Sequence, residues 1–170
     1  MKFNKNILIL ILFTLITGIG ISCSSEQAPT EASIKGWRIA IKNFEITDDL
    51  RNSKAAIQYS GDAVEIEYNQ QPESGNTFVL VNMLIEKQES GAPQFKWDNV
   101  FLLDDSGNKY ERHPNDTFLE KFNFPRLKST DLTFGKNEGY ACFELPEINT
   151  NGALFLLYEN SEDQIQIKVK

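Results

Sequence analysis

The chain has 170 residues, with 17 Lys and Arg against 24 Asp and Glu, and a net charge of −7. That length suits a single domain, and so acidic a chain lacks the clustered cations that phosphate contacts require, which argues against nucleic acid as a partner. Two cysteines build neither a disulfide scaffold nor a cysteine zinc site, and the single histidine, His113, leaves no His-rich metal site.

Residues 1–22 read as a secretion signal. Lys2 and Lys5 supply the positive start, and an apolar stretch follows from Ile7 to Ile21. As a helix that stretch rises about 22 Å, short of the ~30 Å hydrocarbon core, so an exported signal fits better than a membrane span. The stretch ends in Gly20-Ile21-Ser22-Cys23. This resembles a bacterial lipobox, in which small residues precede a cysteine. The resemblance implies cleavage before Cys23 and lipid attachment on its thiol. Gly20 departs from the aliphatic residue that the pattern prefers. Each buried CH₂ of an acyl chain contributes about 0.8 kcal/mol, and two chains hold a protein far better than one. Losing Lys2 and Lys5 makes the mature chain more acidic still, so the lipid and not a basic patch must hold it at the extracytoplasmic side of the cell membrane.

Ser24 to Gly36 is polar, contains Pro29 and has no periodicity. With Cys23 it reads as a flexible tether over 23–36, its thirteen residues able to reach about 40 Å. The folded domain is then 37–170. Trp37, Ile39 and Ile41 alternate with polar neighbours as a half-buried strand. Phe44 and Ile46 continue on the opposite parity, which places a bulge near Lys42–Asn43. Asp48–Ser53 reads as a turn. Ile57 and Tyr59 oppose Val64, Ile66 and Tyr68 across Ser60-Gly61-Asp62 as a hairpin.

Thr77–Lys87 is the strongest strand. Val79, Val81, Met83 and Ile85 make one apolar face, and Phe78, Leu80 and Leu84 make the other partly apolar, as in a central strand covered on one side and partly covered on the other. A strand with a parity break at Asp98–Asn99 runs into Val100–Leu103, turns at Asp104–Asn108, and returns over Lys109–Arg112. One short helical turn is expected between Asn115 and Lys128, ended by Pro125. Its Phe118, Phe122 and Phe124 either plug an end of the sandwich or form a partner-binding patch. Strands at Asp131–Phe134, Gly139–Leu145, Ala153–Tyr158 and Gln164–Lys170 complete a chain of seven to nine short strands. Lys168 and Lys170 suit an edge that resists pairing with other chains. The fold class is all-β, an antiparallel β-sandwich.

Three segments, GNTFVLVNMLIEK, FKWDNVFLLDDSGNKYER and LTFGKNEGYACFELPE, resemble a bacterial lipoprotein domain family of unknown function with an immunoglobulin-like fold, related to secreted immunoprotective antigens. The matching stretches are Gly75–Val81, Leu102–Tyr110 and Gly135–Pro146, with residues 48–74 as an elaboration. The resemblance implies a non-catalytic module of the cell envelope and carries over no catalytic residues.

Few residues are candidates for chemistry. Tyr140-Ala141-Cys142 echoes the tyrosine corner of immunoglobulin domains, with Trp97 as the core tryptophan. Strand parity turns Cys142 away from the main core, as an inert, partly covered thiol. Asp104, Asp105 and Asn108 lack the spacing of a calcium loop and suit a turn. His113 precedes a proline with no nucleophile motif in the chain, which suits a surface residue. Glu65 and Glu67 lie two apart on one strand face, in the manner of a glycosidase pair or, more simply, of a solvated face. Asn115-Asp116-Thr117 matches a glycosylation sequon by pattern alone. The sequence therefore assigns Cys23 for lipid attachment, with no catalytic, metal or cofactor residue. It leaves open a membrane-anchored binding module for an envelope or extracellular protein, a structural or protective envelope protein without a pocket, and, last, a hydrolase or metal-binding protein.

Overall fold

The computed structural model describes residues 30–57, 61, 63–127 and 135–170. Cys23, the signal and the expected strand at Asp131–Phe134 lie outside them. The described strands are β1 (Glu31–Ile34), β2 (Trp37–Thr47), β3 (Leu50–Ile57), β4 (Ala63–Gln70), β5 (Asn76–Lys87), β6 (Val100–Asp104), β7 (Lys109–Glu111), β8 (Lys136–Pro146), β9 (Leu154–Glu159) and β10 (Gln164–Lys168). One antiparallel sheet has the order β1-β2-β5-β8 and a second the order β10-β9-β6-β7, while β3 and β4 pair as a separate hairpin.

These neighbour orders follow the immunoglobulin arrangement. Strands β2, β5 and β8 take the A, B and E places, β6 and β7 take C and C′, and β9 and β10 take F and G. The β3–β4 hairpin is an insertion between A and B, where the sequence reads as an elaboration. The register of β2 against β5 shifts between Ile41 and Asn43, the bulge that the parity change demands.

The inner core lies between the two sheets. Val79, Val81, Met83 and Ile85 of β5 meet Ile39, Phe95, Leu102, Phe143 and Leu156 there, all essentially without solvent contact. Phe95 stacks on Tyr158 with ring centroids 4.6 Å apart and packs edge-on to Trp97 at 5.4 Å. Trp97 stands at the entry to β6, the C-strand place, as the core tryptophan of the sequence reading. It belongs to a 3₁₀ turn, Trp97–Asn99, which produces the parity break there.

The opposite residues of β5 and β8 build a smaller core on the outer face. Phe78, Leu80 and Cys142 are covered by Leu50 of β3 and by Phe118, Leu119 and Phe122 of a 3₁₀ helix over Asp116–Phe122. The aromatic cluster thus fills this layer and does not plug an end of the sandwich. Phe124 packs edge-on to Tyr140 at 5.0 Å. The C-terminal end of this covering layer pairs with β8 itself: Tyr140 N–H donates to Pro125 O at 2.8 Å, and Leu127 N–H to Tyr140 O at 3.0 Å. A side chain on Gly139 would meet the Pro125 carbonyl at 2.6 Å, which is why glycine stands there.

Three expectations need correction. The tether does not run to Gly36, because Glu31–Ile34 pairs with Trp37–Ala40 as β1. Two positive-φ residues, Lys35 at 46° and Gly36 at 79°, make the tight connection between them, and Ile34 is buried. The turn at 48–53 is shorter than expected, since β3 starts at Leu50, whose side chain seals the outer core. The tyrosine-corner reading fails: Tyr140 and Cys142 lie on β8, the E place and not the F place, and the Tyr140 hydroxyl bonds across the sheet to Asn43 Oδ1 at 3.1 Å.

Both open sides of the sandwich are tied. On one, His113 N–H donates to Cys142 O at 2.7 Å and Arg112 bridges Phe143, linking the end of β7 to β8. On the other, β1 lies against β10, and Lys35 Nζ sits 2.6 Å from Glu162 and 3.2 Å from Asp163.

Candidate functional site

On the β6–β7 hairpin, beside the seam that Arg112 and His113 make with β8, lies a cleft of about 320 Å³. The 3₁₀ turn before β6 brings Trp97 and Asp98 to it, the strands bring Val100, Phe101 and Glu111, and the loop after β7 brings Arg112, His113 and Pro114. Behind these residues lies a charge network. Asp116 Oδ2 accepts from Arg112 Nε at 2.7 Å and Nη2 at 2.5 Å, and Nη2 also reaches Leu127 O at 3.2 Å. The Arg112 guanidinium lies 4.8 Å over the Trp97 ring. Arg126 approaches the other Asp116 oxygen at 3.4 Å and Glu120 at 3.3 Å. The Asp116 side chain is 5% exposed, so this carboxylate is held by two arginines in near-complete exclusion from water. A buried pair of this kind fixes the loop but leaves no charge over for a ligand. The mouth differs: Asp98 and Glu111 are exposed on it, beside an apolar wall of Trp97, Phe101 and Pro114.

His113 stands at this cleft, half-buried and edge-on to Phe118 at 5.3 Å and Phe78 at 6.1 Å. Its Nδ1 accepts from Asn115 N–H at 3.2 Å, and its Nε2 lies 3.9 Å from Glu144. The histidine is therefore more enclosed than a surface residue. Cys142 is fully buried rather than partly covered. Burial pushes its thiol well above the ordinary range, Asp116 and Glu144 push it further, and Arg112 opposes them weakly.

The acidic turn is a lock. Asp104 is 2% exposed, and its carboxylate accepts from Ser106 N, Asn108 N, Asn108 Nδ2, the Tyr110 hydroxyl and Asn149 Nδ2 at 2.8 to 3.0 Å. Burial alone would raise its pKa, but the bonds from Asn108, Tyr110 and Ser106 together outweigh it and hold the pKa below the usual value. Glu65 and Glu67 are exposed on β4 and border a second cleft, of about 430 Å³, with Arg51, Ser53 and Asn69 of the hairpin. Among the described residues no three His, Cys, Asp or Glu converge as a metal site. Thr117 Oγ1 donates to Asn115 Oδ1 at 2.6 Å, closing the sequon on itself.

Sequence reasoning named His113 but not the network behind it. Arg112 and Asp116 flank a His-Pro pair, and their four-residue spacing there carries no helical meaning. Only the return of 125–127 onto β8 brings Arg126 and Leu127 to them.

No family model matches the chain, and no curated protein matches it. Solved structures do. A conserved hypothetical protein from Bacillus anthracis superposes with a TM-score of 0.51 at 18% identity, over 81% of this chain and 92% of its own. A Bacillus subtilis protein, ycdA, described provisionally as a lipoprotein, superposes with a TM-score of 0.52 at 14% identity. The match covers 85% of this chain and 39% of that one. An uncharacterized β-sandwich protein from Clostridium difficile aligns at a TM-score of 0.46 and 15% identity, over 85% of this chain and 92% of its own. At such identities the likeness is one of fold. The chain shares its fold with the two Bacillus proteins, and the family resemblance drawn from the sequence is not raised to membership.

Proposed function

We propose that this chain is a lipid-anchored protein of the bacterial envelope, whose sandwich is a non-catalytic binding module with the seam cleft as its contact site. The observation that carries the anchor is Gly20-Ile21-Ser22-Cys23 at the end of the apolar signal, directly before a polar segment. A fold neighbour described provisionally as a lipoprotein is consistent with it. The cleft supports the binding reading through its composition. An aromatic and proline wall beside two exposed carboxylates complements a basic group on an apolar stem, such as a lysine or arginine side chain of a partner protein. The enclosed histidine and the buried, protonated thiol do not equip it for catalysis.

Cys23→Ser tests the anchor: the protein should leave the membrane fraction, and unchanged detergent partitioning would refute the reading. For the cleft, the soluble 24–170 fragment serves as bait against envelope extracts. The double change Asp98→Lys with Glu111→Lys should release its captured partner. Capture that survives this reversal, or that is insensitive to salt, would exclude the cleft as the contact.

A further inference from the structure

We infer that the β1 edge of the sandwich faces the membrane and that the β7–β8 seam, with its cleft, faces away from it. The inference rests on the lipid at Cys23 and adds an orientation to that reading. It follows from where the fold begins. Ile41 N–H donates to Thr30 O at 2.8 Å, so the chain is already fixed to β2 at Thr30. Only Ser24 to Pro29 separate it from Cys23. Covalent geometry limits the seven steps from Cys23 to Thr30 to about 25 Å.

That reach is short against the girth of the body. Four strands at about 4.8 Å set β8 about 14 Å from β1, and the second sheet lies about 10 Å behind the first. With side chains added on every side, half the circumference is about 40 Å, by the same spacings. A tether leaving at the β1 edge cannot pass around to let the β7–β8 seam touch lipid. What it brings to the headgroups is its own edge. Beyond Ile41, no described strand pairs with the outer side of β2, and Lys42 and the 37%-exposed Phe44 stand there. A lysine beside an apolar ring suits the interface between headgroups and acyl chains. The cleft lies at the far edge, on the β6–β7 hairpin, where its partner arrives from the aqueous side.

The full lipidated protein, reconstituted in phosphatidylcholine vesicles containing a few per cent of a headgroup-nitroxide lipid, tests this. Lys42→Cys and Glu111→Cys, each carrying a fluorophore, are both exposed positions that leave the core untouched. Quenching at position 42 should exceed that at 111 several-fold. Inserting about twenty Gly and Ser residues after Ser25 should erase the difference, because the longer chain spans the girth. Equal quenching at the two positions in protein that floats with the vesicles would overturn the orientation alone. Protein that fails to float at all would overturn the anchor and the orientation with it.

Discussion

The two faces of the β1-β2-β5-β8 sheet carry cores of different kinds. The inner one is large, mixes aliphatic with aromatic side chains, is walled by a second full sheet, and takes Val79, Val81, Met83 and Ile85 from β5. The outer one is small and aromatic and takes Phe78 and Leu80 from the same strand. It is roofed by a hairpin and a seven-residue 3₁₀ helix, with the Arg112–Asp116 pair close by. The hairpin of this roof pairs only with itself, and its 3₁₀ helix joins neither sandwich sheet as a strand. It is the layer expected to open first, while the sandwich persists.

Val81→Asp strikes the inner core. It buries an unpaired charge at a position with no solvent contact, and a loss above about 4 kcal/mol should leave no folded protein in denaturant titrations. Phe118→Ala strikes the roof and should cost about 3 kcal/mol, at the low end for a buried phenylalanine, since Phe118 keeps 8% exposure. Cys142 reports which layer has opened. In the 24–170 fragment it is the one thiol, fully buried beneath that roof. It should resist thiol reagents in the wild type and label in Phe118→Ala under conditions where tryptophan fluorescence stays native. Labelling that appears only with global unfolding would show that the two cores act as one unit.

Gly139→Ala should cost about 1–3 kcal/mol, by forcing the 125–127 segment off β8. Faster proteolysis near Arg126, with the sandwich intact, is the expected sign. The smallest effect concerns Asp104, at the end of β6. Its pKa is depressed in the fold, so its contribution is full above the unfolded value, about 3.9, and is lost as pH falls through the folded one. Stability should decline on acidification below about pH 4. Asp104→Asn, though weaker at neutral pH, should show a shallower decline.

The same contrast explains what could be read in advance. Period two along Thr77–Lys87 announced a central strand, and the parity break at Lys42–Asn43 announced the bulge, because both are local consequences of a pleat against a core. The roles of Phe118 and Phe122 were not readable, since their spacing is the same whether they seal an end or a face. The strand at Glu31–Ile34 was missed because Ala32 and Ile34 alone give too little alternation to stand out from a polar linker. Its pairing comes instead from the Lys35–Gly36 turn. The cleft was invisible for a further reason: its residues lie in two stretches, 97–101 and 111–116, that only the pairing of β6 with β7 brings together.

The β1–β2 hairpin also has a mechanical consequence. A pull on the N-terminal segment acts at the open end of that hairpin, where Glu31 faces Ala40, and runs along β1 toward the turn at Lys35. The load therefore falls on the four register pairs one after another, as in opening a zipper, and not on all of them at once as in shear. Under tension β1 should peel before any core strand moves, with the Lys35 ion pairs to Glu162 and Asp163 at the turn as the final catch. Peeling would release the segment up to Gly36 and restore the thirteen-residue reach of about 40 Å. A strained attachment would thus lengthen reversibly, and the sandwich would stay folded at its end.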